Sequence, residues 1–190
     1  MDEKNLIPIP TIEQTIPCQA ISCLNFTNKG DYCPFHAKEI LGVEVKLSHL
    51  PDENVGLGLF ATKDFKKNHI ICEYKGKLIS LKEFLTPENY NNYTVSLRGN
   101  IFISALYSTD GFGRYANSSY MKDTERKQNA YLFSGYQCLS SITNKEEKNK
   151  LKSHLKPNQV YLLSKRFIKA GEEIYVNYGK EYWVDFFKKN

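Results

Sequence analysis

Short apolar runs separated by polar turns make up most of the chain, and they predict many strands. The runs "VEVKL", "GLFA", "IICEY" and "VYLL" are rich in β-branched and aromatic residues, as strands are. The turn "PDENVGLG" separates two predicted strands, and "YTVSLRGNIFISA" predicts a hairpin that turns at "RGN". In the same way, "HIICEYKGKLIS" predicts a strand pair that turns at Lys75-Gly76.

Helical patterns are few and short. "LKEFLTPENYNN" predicts a short helix that stops at Pro87. The remaining runs "NAYLF", "VYLLSKRFI" and "AGEEIYVNYG" predict further strands, the last ending at a glycine. Many short strands with few helices indicate a mainly β fold.

The chain divides by composition into a lead-in, a cysteine-rich segment and one larger domain. Residues 1–17 contain three prolines and little periodicity, which predicts an extended lead-in. Residues 18–42 hold a Cys/His segment, and residues 43–187 form the larger domain, as expected for 190 residues. The polar, lysine-rich residues 139–158 predict an insertion with a short helix rather than a second domain.

Charge and hydropathy narrow the function classes. The 26 Lys and Arg against 21 Asp and Glu give a net charge of +5, too mild by itself to indicate nucleic-acid binding. No apolar run is long enough for a membrane span, and "MDEKNLIPIP" lacks the features of a signal peptide. We therefore expect an intracellular protein, nuclear or cytoplasmic, that does not bind a membrane.

Four cysteine and histidine residues near the amino terminus have the spacing of a zinc site. Cys18, Cys23, Cys33 and His36 follow C-x4-C-x9-C-x2-H, and thiolate and imidazole are the preferred ligands of tetrahedral zinc. Four protein ligands leave no open coordination position, so the predicted role of the metal is structural. The alternative is that the cysteines are buried thiols and His36 lies on the surface. The isolated Cys72 and Cys138 are predicted to be core thiols.

Four motifs in a fixed order resemble a known enzyme family. "GLGLFA", "EYKG", "RYAN" with "QNA", and "GEEIYVNYG" with "YW" follow one another over residues 43–187. Together they resemble the SET-domain protein-lysine methyltransferases. The resemblance implies a fold of several small β-sheets, in which the "RYANSS" and "YVNYG" segments cross in a knot-like arrangement beside the cofactor.

The resemblance also implies a reaction, the transfer of a methyl group from S-adenosylmethionine to a lysine amine of a protein. That reaction requires collinear positioning and a neutral amine more than it requires acid–base groups. Tyr178 matches the family tyrosine beside the departing methyl group, and Tyr74 matches a second tyrosine near the lysine channel. Either could instead be a buried strand tyrosine whose hydroxyl is hydrogen-bonded.

The cofactor is expected at positions that also match the family. The loop of Gly56, Leu57 and Gly58 matches the one whose backbone approaches the methionine end, which glycine permits because it has no Cβ. By the same resemblance, Asn117 binds the cofactor through its amide and Ser118 through its backbone. Two further positions are open. Arg114 lies on the cofactor side or is ion-paired or solvent-facing, and Trp183 stacks on adenine or belongs to an apolar patch.

One departure from the family pattern leaves two functions open. Ser118 stands where the family usually has histidine, so the chain is either an active methyltransferase or a degenerate SET-like module that binds a protein partner. A third interpretation, a zinc-dependent nucleic-acid binder, rests only on the Cys/His segment and the modest positive charge. The substrate is expected to be a protein with a target lysine. Histone tails are common substrates in the family, but no feature of the chain selects one.

Overall fold

The computed structural model describes residues 11–50, 56–86, 89, 93–118, 128–136 and 155–178. Within these ranges the chain is mainly β. The strands are β1 Ile16–Pro17, β2 Phe26–Thr27, β3 Val43–Leu47, β4 Leu57–Ala61, β5 Ile70–Tyr74, β6 Lys77–Ser80, β7 Thr94–Arg98, β8 Ile101–Ser104, β9 Asn117–Ser118, β10 Ala130–Ser134, β11 Val160–Ser164 and β12 Tyr175–Val176. The helical turns are α1 Pro34–His36, a π-helical turn Ala37–Leu41, α2 Leu81–Phe84 and a 3-10 turn Gly113–Tyr115.

The strands of the described residues form five small sheets, as the family resemblance implied. Their strand orders are β1-β2, β3-β4, β6-β8-β7, β10-β11-β5 and β12-β9. The central strand β11, with β10 on one side and β5 on the other, is buried along its whole length, so side chains on both of its faces are covered. Its sequence "VYLLS" accordingly shows no alternation between apolar and polar positions.

The predicted hairpin at "RGN" is confirmed, and the two strands predicted on either side of "PDENVGLG" also pair with each other. Strands β3 and β4 pair antiparallel with Val43 opposite Ala61, and β7 pairs antiparallel with β8. The predicted short helix is also present as α2. It begins with a capping box in which Ser80 accepts a hydrogen bond from the Glu83 amide and the Glu83 carboxylate accepts one from the Ser80 amide.

The predicted strand pair at Lys75-Gly76 is wrong. Strands β5 and β6 both exist, but β5 pairs with β11 whereas β6 pairs with β8. The chain changes sheets at Gly76, where an added Cβ would lie only 2.4 Å from the carbonyl oxygen of Ser104. Glycine here allows two backbones to approach closely instead of forming a tight turn.

The central feature of the fold is a parallel pairing of two short, distant segments. Strands β9 and β12 pair with Asn117 opposite Tyr175 and Ser118 opposite Val176. Buried Asn129 holds the second segment, because its side-chain amide donates to the Glu173 carbonyl at 2.8 Å and its amide oxygen accepts from the Tyr175 amide at 2.8 Å. The described parts of the "RYANSS" and "YVNYG" segments therefore lie side by side.

The main hydrophobic core lies between these sheets and extends into the Cys/His segment. It includes Leu59, Phe65, Leu162 and Ile174 from the larger domain, and Ala37 from the π-helical turn. Of the two isolated cysteines, Cys72 is buried as predicted, while Cys138 lies outside the described residues. No helix in the described ranges is long and apolar enough to cross a membrane.

Candidate active site

The predicted metal ligands converge at one point of the amino-terminal segment. The ligand atoms of Cys18, Cys23, Cys33 and His36 all lie within 4.8 Å of one another. The Cys33 sulfur is 3.3 Å from Nδ1 of His36 and 4.0 Å from the Cys23 sulfur, and the Cys18 sulfur is 3.6 Å from that Nδ1. Tetrahedral zinc, with Zn–S near 2.3 Å and Zn–N near 2.0 Å, would place neighbouring ligand atoms about 3.5–3.8 Å apart.

The protonation state of one of these thiols, Cys33, is consistent with this geometry, whereas burial and the neighbouring thiols raise the pKa of Cys23. The backbone amide of His36 donates to the Cys33 sulfur and, with the His36 and Cys18 side chains, lowers the pKa of Cys33 to about 6. A thiol with this pKa is largely thiolate at neutral pH, the form that binds metal. The donor set and its spacing therefore fit zinc, and no ligand position is left open for a substrate.

A second site is formed by two cavities that meet at Tyr178. One cavity, of about 230 Å³, is lined by residues that include Tyr74, Ser96, Ala116 and Asn177. The other, of about 270 Å³, is lined by residues that include Gly56, Leu57 and Asn117. Both cavities share the side chains of Tyr178, Tyr93 and Arg114. Two cavities that share lining residues can hold two reactants close to the same tyrosine.

The pairing of the two segments holds Tyr178, which lines both cavities. Its hydroxyl donates a hydrogen bond to the Ala116 carbonyl at 3.1 Å, and its backbone amide donates to the Ser118 hydroxyl at 3.3 Å. Both partners belong to the segment that carries β9. Ser118, the residue that stands in place of the family histidine, is buried. Its hydroxyl helps to hold Tyr178 because it accepts this hydrogen bond.

Asn117 lies on the wall of the second cavity and is oriented by two acceptors. Its side-chain amide donates to the Leu57 carbonyl at 3.1 Å and to a carboxylate oxygen of Glu173 at 3.2 Å. Glu173 itself is only 4% exposed. It also accepts hydrogen bonds from the hydroxyls of Ser48 and Tyr175 and from the amide of His49, each at 2.7 Å.

The glycines of the predicted loop have two different roles. Gly56 has a positive φ of 67° and open space where a Cβ would lie, so it supplies a left-handed backbone at the cavity wall. At Gly58, a Cβ would lie 2.3 Å from a carboxylate oxygen of Glu173 and 3.3 Å from the side-chain nitrogen of Asn117. Gly58 therefore permits the close approach of Glu173.

Arg114 is neither solvent-facing nor ion-paired in the described structure. It is 4% exposed and donates to the Tyr107 carbonyl and, at 2.7 Å, to the hydroxyl of Thr11. Its guanidinium carbon lies 4.0 Å from the centre of the Tyr93 ring, a cation–π contact. Arg114 thus adds a buried positive charge to the wall shared by both cavities.

Tyr74 lines the first cavity, and its hydroxyl is hydrogen-bonded to the backbone of a neighbouring residue. The hydroxyl donates to the Tyr93 carbonyl at 2.8 Å. Burial raises the pKa of Tyr74 well above its usual range, so the phenol stays protonated. The geometry of Tyr74 is that of a residue that positions Tyr93, and Tyr93 lines both cavities together with Arg114 and Tyr178.

Sequence patterns did not single out two residues of this site. Tyr93 begins the run "YTVSL" and looks like an ordinary strand tyrosine, and Glu173 is part of "GEE", which is typical of a turn. The only available signal for Glu173 was its place between a glycine and an apolar strand. The predicted adenine-stacking residue Trp183 lies outside the described residues.

Comparison with known proteins identifies the family. The family model described as "SET domain" matches residues 56–179. The search of the curated proteins finds no significant match. Since the family model matches more than half of the chain, the chain belongs to the SET-domain family.

Solved structures share the fold. An autoinhibited ctPRC2 bound to S-adenosylmethionine is 23% identical with a TM-score of 0.52, covering 79% of this chain and 17% of that chain. The Chaetomium thermophilum Polycomb Repressive Complex 2 bound to GSK126 is 23% identical with a TM-score of 0.52, and the match covers 77% of this chain and 17% of that chain. An active polycomb repressive complex 2 in the stimulated state is 24% identical with a TM-score of 0.50, and the match covers 73% of this chain and 15% of that chain. The chain therefore spans less than a fifth of each of these chains.

Proposed function

We propose that the protein transfers a methyl group from S-adenosylmethionine to the side-chain amine of a lysine in a protein substrate. The observation that carries this proposal is the pair of cavities that share Tyr178. Membership of the SET-domain family and the S-adenosylmethionine named with one structural neighbour support the choice of cofactor. The cavity with Gly56, Leu57 and Asn117 would hold the cofactor, and the cavity with Tyr74 and Asn177 would admit the lysine.

The residues of the site suit a reaction that depends on position. When bound, S-adenosylmethionine supplies a methyl group on a sulfonium, which passes to the lone pair of a neutral amine and leaves a thioether. Tyr178 has its hydroxyl direction fixed by the Ala116 carbonyl, so it orients the groups that meet between the cavities. The positive charge of Arg114 on the shared wall disfavours an ammonium there, which helps the lysine to lose its proton to solvent.

The cofactor wall is preorganised by Glu173. Because Glu173 accepts hydrogen bonds from four groups, it fixes Asn117 before any ligand arrives. Ser118 also keeps Tyr178 in place without the family histidine. These contacts favour an active enzyme over a degenerate protein-binding module.

We also propose that Cys18, Cys23, Cys33 and His36 bind one structural zinc ion. The support is the convergence of four ligand atoms at distances close to those of a tetrahedral site. The segment has too few residues to bury a core of its own, so the metal would supply much of its folding free energy.

Histone tails are the first substrate class to test. One solved structure with the same fold, 24% identical with a TM-score of 0.50, is described as ctPRC2 in complex with H3K27me3 and H3K27M. A library of lysine-containing peptides should be tested beside histones, since no feature of this chain indicates the sequence around the target lysine.

The test begins with calorimetric titration of S-adenosylmethionine into the purified protein and three variants. Asn117→Ala should weaken binding about tenfold or more, or about 1.4 kcal/mol. Asn100→Ala, at the exposed hairpin turn, is the matched control and should bind like the wild type. Tyr178→Phe should still bind the cofactor but lose methyl transfer to histones or to the peptide library.

The outcomes separate the two candidate functions. The enzyme would be supported if the wild type binds S-adenosylmethionine and transfers its methyl group to a substrate, and if Tyr178→Phe abolishes the transfer. Cofactor binding without transfer to any substrate, or no binding at all by a folded wild-type protein, would instead favour the protein-binding module. Circular dichroism of each variant checks that a loss of binding is not a loss of folding.

A further inference from the structure

One wall of the cavity assigned to the cofactor comes from outside the SET-domain match. Besides Gly56, Leu57 and Asn117, its lining includes Thr11 and Glu13 from the lead-in and Lys29 from the Cys/His segment. The family match begins at residue 56, so these residues precede it in the sequence. They therefore add groups that the family motifs do not supply.

The lead-in is held along this wall by hydrogen bonds to the larger domain. The Ile12 amide donates to the Leu106 carbonyl at 3.1 Å, and the Ile12 carbonyl accepts from the Ser108 amide at 2.9 Å. Gln14 continues the contact, since its amide donates to the Ser108 hydroxyl at 3.0 Å and its side chain accepts from Thr109 at 2.8 Å. Glu13 lies between these anchored residues, which fixes its backbone at the cavity.

Lys29 is positioned by the loop between the second and third metal ligands. The buried Thr27 hydroxyl donates to the Lys29 carbonyl at 2.8 Å and accepts from its amide at 3.2 Å. The next residue, Gly30, donates its amide to the Ser108 carbonyl at 2.9 Å. Ser108 therefore joins the lead-in and the metal-binding loop to one point of the domain.

The two side chains bring opposite charges to the same cavity. Glu13 is exposed and Lys29 is partly buried. Neither takes part in an ion pair within the described residues. A carboxylate and an ammonium that line one cavity without an ion-pair partner suit a ligand that carries both charges.

We propose that Lys29 and Glu13 bind the zwitterionic amino-acid end of S-adenosylmethionine, Lys29 its carboxylate and Glu13 its ammonium. This inference rests on the proposed cofactor and goes further by assigning the recognition of one end of it. Because Gly56 and Leu57 line the same cavity and match the loop at the methionine end, that end of the cofactor belongs near Lys29. The Cys/His segment would then form part of the cofactor site as well as stabilising the fold.

The test compares two ligands that differ at this end. S-adenosylhomocysteine carries the amino-acid group, whereas 5′-deoxy-5′-methylthioadenosine lacks it. We expect Lys29→Met and Glu13→Gln each to weaken S-adenosylhomocysteine binding about three- to tenfold. Lys29→Arg should restore most of the affinity, and Lys38→Met, a lysine of the same segment that does not line the cavity, should leave it unchanged. Affinity for methylthioadenosine, measured by calorimetry at high ligand concentration, should be the same in wild type and variants.

Each result supports or overturns the inference. An equal loss for both ligands would show that Lys29 only shapes the cavity, and no loss for either would show that it does not contact the ligand. In both cases the cofactor proposal survives, because the wild type still binds S-adenosylhomocysteine. If the folded wild type binds neither ligand, the cofactor proposal and this inference fail together.

Discussion

Replacing Glu173 by glutamine tests whether the buried carboxylate organises the site. One carboxylate oxygen accepts from the Ser48 hydroxyl and the Asn117 amide, and the other accepts from the His49 amide and the Tyr175 hydroxyl. A glutamine can offer only one oxygen, and its NH₂ group must face the other pair of donors. Hydroxyl groups can rotate to accept a hydrogen bond from that NH₂, but a backbone N–H cannot.

The magnitude follows from counting these donors. With the amide oxygen facing Ser48 and Asn117, the His49 N–H loses its acceptor. With the oxygen facing His49 and Tyr175, the Asn117 NH₂ group loses its acceptor unless Asn117 also turns over. A hydrogen bond to a charged group contributes about 1.5–3 kcal/mol. A neutral amide costs less to bury than a carboxylate, which offsets part of this loss. We therefore expect Glu173→Gln to lower the free energy of unfolding by about 2–3 kcal/mol, or the midpoint temperature by about 4–12 °C.

The adjacent glutamate provides the matched control. Glu172 is partly exposed and pairs with Arg166 at 3.0 Å, so Glu172→Gln should change stability by less than about 1 kcal/mol. Both variants would be measured by thermal unfolding and by titration with S-adenosylmethionine, whose affinity should fall about tenfold only in Glu173→Gln. If the two variants unfold within about 1 °C of each other and bind the cofactor equally, then Glu173 does not organise the site.

Three further predictions concern the metal site, the contact of the Cys/His segment with Phe112, and the dependence of stability on pH. Purified protein should carry one zinc ion by elemental analysis, and Cys33→Ser should lose it and unfold at least about 5 °C lower; an unchanged metal content would refute the site. Gly30→Ala should destabilise by about 1–3 kcal/mol in thermal unfolding, because its Cβ would lie 2.5 Å from the Phe112 ring at a φ of 65°. The control Gly99→Ala, with a φ of 48° and open space, should show only the backbone cost of about 1 kcal/mol. Burial raises the pKa of Tyr115 to about 12, so its stabilisation should be complete below the unfolded pKa of about 10 and be lost as pH rises from there through 12. Tyr115→Phe should remove that part of the alkaline loss of stability in unfolding measurements across this range.

The sequence predicted local pairings better than distant ones. Both hairpins follow from apolar runs on either side of a turn, because neighbouring strands with a short connection usually pair. The same pattern misled at Lys75-Gly76, since alternation shows that a strand exists but not which strand it pairs with. Strand β6 pairs with β8 because Gly76 lets the two backbones meet, a tertiary contact with no local signal.

Residues of the site were predictable where a family motif marked them. Tyr178 lines both cavities and Asn117 lines one of them, while their roles towards a cofactor stay predictions. The ligand atoms of the four predicted metal ligands lie within 4.8 Å of one another. Glu173 could not be recognised in the same way, because its partners come from residues far apart in the sequence. A carboxylate in a "GEE" turn is ordinarily solvated, and only the folded chain reveals four donors around this one.

The pairing of β9 with β12 has a consequence for how the protein is made. The last strand of the described chain completes the wall at Tyr178, and its partner β9 is synthesised long before it. During translation, sheets made of earlier strands can form while β9 still lacks its pairing partner β12. The nascent chain therefore cannot assemble the site until residues 175–178 have left the ribosome. Pairing across such a separation is slow to form, so the newly released chain should gain cofactor binding after most of its strands have already folded.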